Sequence, residues 1–158
     1  MKKLVLLLLI AGLGATFMLA SPYKQDFDFN GAHFTYFKKM SGGVISNYLY
    51  HPQGEEINED GEFVQIIDMG DVPKADWLKY LKQLYRGYGL SAIDEDNEFR
   101  FAGRSQRRGL TYNAYAAVLT VKGKEQPVIY VELVDEDEAK NPDSYNRDII
   151  YDLESIAL

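Results

Sequence analysis

"HFTYFKKMSGGVISNYLYH", residues 33–51, sets two runs of aromatic and β-branched residues on either side of a glycine pair. His33 to Met40 and Val44 to His51 both favour extended backbone, and Ser41-Gly42-Gly43 supplies a turn between them. The stretch therefore predicts a β-hairpin. Pairing symmetric about Gly42 would set His33 opposite His51. Two facing imidazoles, with a carboxylate such as Glu55 or Glu56, could hold a metal ion, which makes His33 and His51 candidate ligands. The competing reading has them exposed, or stacked on tyrosines, at the open end of the hairpin. No further ligand is set by spacing, so no metal and no cofactor is expected.

Working outward, residues 21–32 read as an extended lead-in, with Phe27 and Phe29 alternating against Asp26, Asp28 and Asn30. Pro52 to Glu62 is a polar, acidic loop, and Phe63 to Met69 a buried strand. Over "DVPKADWLKYLKQLYRGYGL" the apolar positions Trp77, Leu78, Leu81, Leu84, Tyr85 and Tyr88 recur at helical spacing, which predicts a helix over about 73–88. Pro73 fits its first turn, and Gly87 and Gly89 can end it. "NEFRFAG" then reads as a strand, followed by a basic turn and the long strand "LTYNAYAAVLTVKG". A tight turn at Lys122-Gly123-Lys124 leads into "PVIYVELV", which completes an antiparallel meander. Tyr145, Ile149, Ile150, Leu153 and Ile156 predict a C-terminal helix over about 144–157.

Strand runs alternating with single helices define an α+β class: one antiparallel sheet of about six strands, with a central and a C-terminal helix packed on it. In element order this resembles the PsbP-like sandwich. The resemblance covers the region after residue 20 in outline and implies a fold without implying an activity.

The first twenty residues carry a different signal. Lys2 and Lys3 precede the apolar run Leu4 to Ile10, small residues follow, and Ala20-Ser21 offers a cleavage point, although Met18 departs from the small-residue rule. Residues 1–20 are thus expected to be an export signal, with 21–158 one exported domain. The apolar stretch of about 17 residues is at the lower limit for crossing a bilayer, so an uncleaved inner-membrane anchor at residues 4–20 is the alternative. Export implies a periplasmic location, and membrane contact would come only through that segment. With no cysteine, stability rests on the core and not on disulfides.

The formal charge of −7 becomes −9 once Lys2 and Lys3 are set aside, which argues against nucleic acid and anionic lipid as partners of the surface. Cysteine nucleophiles are excluded by composition. The nearest approach to a nucleophile elbow, Gly103-Arg104-Ser105-Gln106-Arg107, lacks its second glycine and lies between two strands. Ser21-Pro22-Tyr23-Lys24 matches Ser-x-x-Lys only across the cleavage point. Asp94, Asp96 and Glu98 alternate as a calcium loop begins, without its glycine or its distal glutamate.

Two features remain. There are twelve tyrosines and one tryptophan, and tyrosine suits a binding face as well as the margin of a core. Tyr112 and Tyr115 must point to opposite faces of their strand. "GRSQRRG", residues 103–109, places Arg104, Arg107 and Arg108 beside Arg100. Together with Tyr112 they form a candidate site for a carboxylate, a phosphate or an acidic partner patch. The alternative is that they neutralise Asp94 to Glu98. These readings point to a non-enzymatic exported protein that binds another protein or envelope component, in one form an inhibitor or immunity-type protein. The alternatives are a small-ligand or hydrolytic domain with a tyrosine-lined pocket, and an anchored structural component of an envelope assembly.

Overall fold

A computed structural model describes residues 22–56, 60–141 and 146–158. The expected export segment at 1–20, the middle of the acidic loop, and Ser144 and Tyr145 of the expected C-terminal helix lie outside these residues. Among the described residues, no helix is long and apolar enough to cross a membrane.

Among the described residues, eight strands form one antiparallel sheet, curled into a half-barrel, where the sequence predicts about six. In chain order they are β1 (Asp26–Phe29), β2 (Ala32–Gly42), β3 (Ile45–Pro52), β4 (Phe63–Asp68), β5 (Leu90–Ala92), β6 (Phe101–Arg107), β7 (Leu110–Val121) and β8 (Lys124–Leu133). Their order across the sheet is β1-β2-β3-β4-β8-β7-β6-β5. The two additional strands are the edges: β1 comes from the extended lead-in, and β5 follows the central helix. A 3-10 turn (Lys74–Asp76) leads into helix α1 (Trp77–Gly87), and short helices α2 (Glu136–Ala139) and α3 (Asp148–Glu154) follow the sheet.

Alternation along the strands divides the core in two. One face is aromatic: Phe27, Phe29, Phe34, Tyr36, Tyr48, Tyr50, Tyr115 and Tyr130 are all buried there. Their rings meet mostly edge to face, as between Phe29 and Tyr130 at 4.9 Å and between Tyr23 and Tyr48 at 4.9 Å. Ile149, Ile150 and Leu153 of α3 close this face. The opposite face carries Ile67, Tyr112, Ala114, Ala116, Ile129 and Val131, covered by Trp77, Leu81 and Tyr85 of α1. Small residues on β7 let the helix approach closely. Tyr112 and Tyr115 therefore lie on opposite faces, as their odd spacing requires.

The β2–β3 hairpin forms, but with a different register. Its closing pair is Gly42↔Ile45 around Gly43-Val44, and a bulge at Phe37 shifts the pairing from Lys38↔Leu49 to Tyr36↔Tyr50. Gly43 takes a left-handed φ of 62°, the demand of the first position of a type II′ turn. The consequence is a correction: His51 lies opposite Thr35, and His33 pairs with Asp28 of β1. One turn residue and one bulge are enough to separate the two histidines.

"GRSQRRG" is corrected in the same way. It is not a loop between strands: β6 runs through Arg107, and the turn is only Arg108-Gly109, with φ of 53° and 78°. Gly103 has a packing role within the strand. A Cβ built there would lie 1.9 Å from the Gly89 carbonyl oxygen, so only glycine lets β5 and the end of α1 close onto β6.

Candidate functional site

The basic residues of this region disperse. Arg100 bridges two carboxylates: Nε and Nη2 donate to Glu154 at 2.7 and 3.0 Å, and Nη1 donates to Asp94 at 2.8 Å. Tyr151 covers the guanidinium at 4.9 Å. This clamp ties α3 to the start of β6 and satisfies the Asp94 side of the neutralising alternative. Arg104 turns to the aromatic face, where Nε donates to Asn113 Oδ1 at 2.9 Å and Nη1 to the Asn141 carbonyl at 2.6 Å. Arg107 points to the other face, with its guanidinium 5.3 Å from the Tyr112 ring. Arg108 stands at the turn, 3.5 Å from Asp60. Tyr112 is buried, and its hydroxyl donates to the Asp60 carbonyl at 3.0 Å. Strand alternation thus sends Arg104 and Arg107 to opposite sides, and the five residues do not converge on one anion.

His33 accepts its environment from β1: Nδ1 lies 2.7 Å from Asp28 Oδ1 and Nε2 lies 3.8 Å from Asp26. The Asp28 hydrogen bond, first among the causes, raises its pKa. His51 Nδ1 donates to the Pro52 carbonyl at 3.0 Å. Among the described residues, no three His, Cys, Asp or Glu side chains are grouped to hold a metal ion.

Two other places bring polar groups together, and neither is evident from the sequence. The first is a half-buried network at the end of the aromatic face. Tyr130 Oη donates to Glu62 Oε1, receives a bond from Asn30 Nδ2 at 3.1 Å, and lies 3.4 Å from Glu132 Oε2. Tyr115 Oη donates to Glu132 Oε1 at 3.2 Å. Burial raises the pKa of both carboxyl groups. The Tyr130 bond opposes it at Glu62, and the Tyr115 and Asn113 contacts oppose it at Glu132. The hydroxyl of Tyr130 occupies the space between the two carboxyl groups, where a pair acting on a glycosidic oxygen would need room for substrate. One signal was available: Glu132 is in phase with the buried Tyr130 and Val128 of the same strand.

The second is a groove of about 320 Å³ on the opposite face. Helix α1 packs over β6, β7 and β8 and leaves β2, β3 and the start of β4 bare. Phe37, Leu49 and Phe63 form the floor, Tyr88 the wall beyond the helix end, and Met40, 43% exposed, the rim. The bulge at Phe37 creates this floor, because it brings Phe37 and Lys38 to the same side. Gln65 donates to Asn47 Oδ1 at 2.7 Å and accepts from Tyr88 Oη at 3.4 Å, which holds the wall in place. His51 meets the edge of Phe37 at 5.7 Å. Charges of both signs ring the groove, with Lys38 and Arg107 against Glu55 and Glu56.

No known protein family, no characterised protein and no solved structure matches this chain.

Proposed function

We propose that this is an exported, periplasmic, non-enzymatic protein that binds another protein through the groove over β2, β3 and β4. The observation that carries the reading is the incomplete cover of the sheet. One half of the α1 face is sealed by Trp77, Leu81 and Tyr85, while Phe37, Leu49, Phe63 and Tyr88 on the other half stay partly open to solvent. Exposed apolar floor with a rim of mixed charge is the composition of a recognition surface, with apolar anchors at the centre and polar groups at the margin. The export-signal pattern of residues 1–20 supports a location outside the cytoplasm, and an inhibitor or immunity-type role is the specific form the reading takes. Helices on either face of one antiparallel sheet support a PsbP-like layering in outline, and nothing about activity follows from it.

The test is a photo-crosslinking amino acid at Met40, with the protein expressed in its own cells. A discrete protein adduct is expected from this position. It should be absent from the same label at exposed Tyr151 and should disappear when Leu49→Asp is added to a variant whose circular dichroism is unchanged. No adduct from Met40, or an equal adduct with Leu49→Asp, sinks the proposal.

A further inference from the structure

The groove opens at one side onto a strand edge that has no neighbour among the described residues. Strand β1 pairs with β2 only from Ala32 to Thr35, and the last backbone bond on that side runs from Tyr36 N–H to the Gln25 carbonyl at 2.7 Å. The chain before Gln25 leaves the edge and crosses the aromatic face, where the Lys24 carbonyl accepts from Tyr50 Oη at 2.8 Å and Tyr23 packs on Tyr48. From Phe37 to Gly42, β2 is bonded on its β3 side alone among the described residues. Gly42↔Ile45 is the hydrogen-bonded pair that closes the two-residue turn. Antiparallel pairing alternates from there, so Lys39 and Ser41 direct their N–H and C=O groups away from β3.

From this edge we infer that the protein receives an extended segment of its partner as an added strand along Phe37 to Gly42, with alternate side chains entering the groove. The inference rests on the groove reading above and names the form of the partner. A strand laid on this edge continues the pleat, so every second side chain falls beside Phe37, Lys38 and Met40, over the apolar floor. The charges specify the rest. Lys38 and Lys39 stand along the edge, with their ammonium groups 5.1 Å from the Phe37 ring and 5.5 Å from the Tyr48 ring. Glu55 and Glu56 line the groove on the loop that follows β3. The complementary segment is therefore apolar at its centre, acidic where it meets the lysines and basic where it meets the loop. A second copy of this chain is a poor occupant, because its own lysines would stand opposite these.

The probe is a phage-displayed library of random dodecapeptides, selected on the intact exported domain. Binders are expected to alternate apolar with polar residues, to carry Asp or Glu, and to protect the amides of Lys39 and Ser41 from hydrogen exchange. Ser41→Pro removes one outward N–H and leaves the pairing with β3 in place, and it should weaken binding at least tenfold. Lys38→Glu with Lys39→Glu should do the same and should select basic peptides instead. Peptides lost with Leu49→Asp but bound equally by Ser41→Pro would overturn strand addition and leave the groove reading standing. Failure to enrich any peptide would overturn the inference as well.

Discussion

Replacing Gly103 by alanine tests the close approach on which the β5 edge depends. The new Cβ would lie 1.9 Å from the Gly89 carbonyl oxygen, 2.5 Å from its carbon and 2.9 Å from Leu90 N. All three are backbone atoms, so no flexible side chain can yield. A carbon and an oxygen do not approach closer than about 3 Å, so β5 must retreat by more than about 1 Å. If the strand yields while staying paired, the cost is that of an overpacked core, about 1–3 kcal/mol. If it detaches, Leu90, which is 9% exposed, loses burial worth about 2 kcal/mol. The broken ladder adds about 1 kcal/mol for each hydrogen bond, which brings the total to about 4 kcal/mol. The expected loss is thus about 1–4 kcal/mol. For a chain of this size that corresponds to a melting temperature lower by about 4–15 °C, read by circular dichroism and checked by urea unfolding. Gly42→Ala is the control, since Gly42 has no positive φ and nothing within 4 Å of a built Cβ. It should change stability by less than about 0.5 kcal/mol. A Gly103→Ala protein as stable as this control would refute the packing argument.

Glu132→Gln should stabilise the protein at neutral pH. Burial raises the pKa of Glu132, so its favourable contribution is complete below the ordinary carboxyl range and is lost as pH rises through the raised value. The difference in melting temperature between variant and wild type should widen from about pH 4.5 to about pH 7.5, and a constant difference would contradict the assignment. Arg100→Ala should lower stability by about 2 kcal/mol, because it removes the paired bonds to Glu154 and leaves two carboxylates together. Hydrogen exchange should then quicken at Ile149 to Leu153 before the rest of the core, and Arg100→Lys should recover less than half of the loss, since an ammonium cannot span both partners.

The elements of this protein are largely local and were legible as such. The α1 periodicity, the β7–β8 hairpin around Lys122-Gly123, and the opposite directions of Tyr112 and Tyr115 follow from neighbours a few residues apart. Strands β1 and β5 were not legible, because a three- or four-residue run becomes a strand only when a longer one lies beside it. His33 and His51 show how little is needed to misplace a pair. A turn centred between Gly43 and Val44 and not on Gly42, with a bulge at Phe37, alters the register of every residue beyond. Gly103 reads as turn punctuation, whereas its reason lies in Gly89, fourteen positions away in sequence and touching in space.

By itself the sequence determined the class: an antiparallel sheet with helices, an acidic surface, no disulfide, and an arginine-rich segment beside an acidic one. Tertiary structure alone decided what those residues face. Composition places Arg104 and Arg107 in one cluster, and strand alternation sends one to Asn113 and the other to Tyr112. Glu62, Tyr130 and Asn30 come from three separate stretches and meet at one hydroxyl. The groove exists because α1 covers only half of a sheet face. Each of these outcomes depends on register and on which neighbours arrive, and those are properties of the folded sheet that no local pattern encodes.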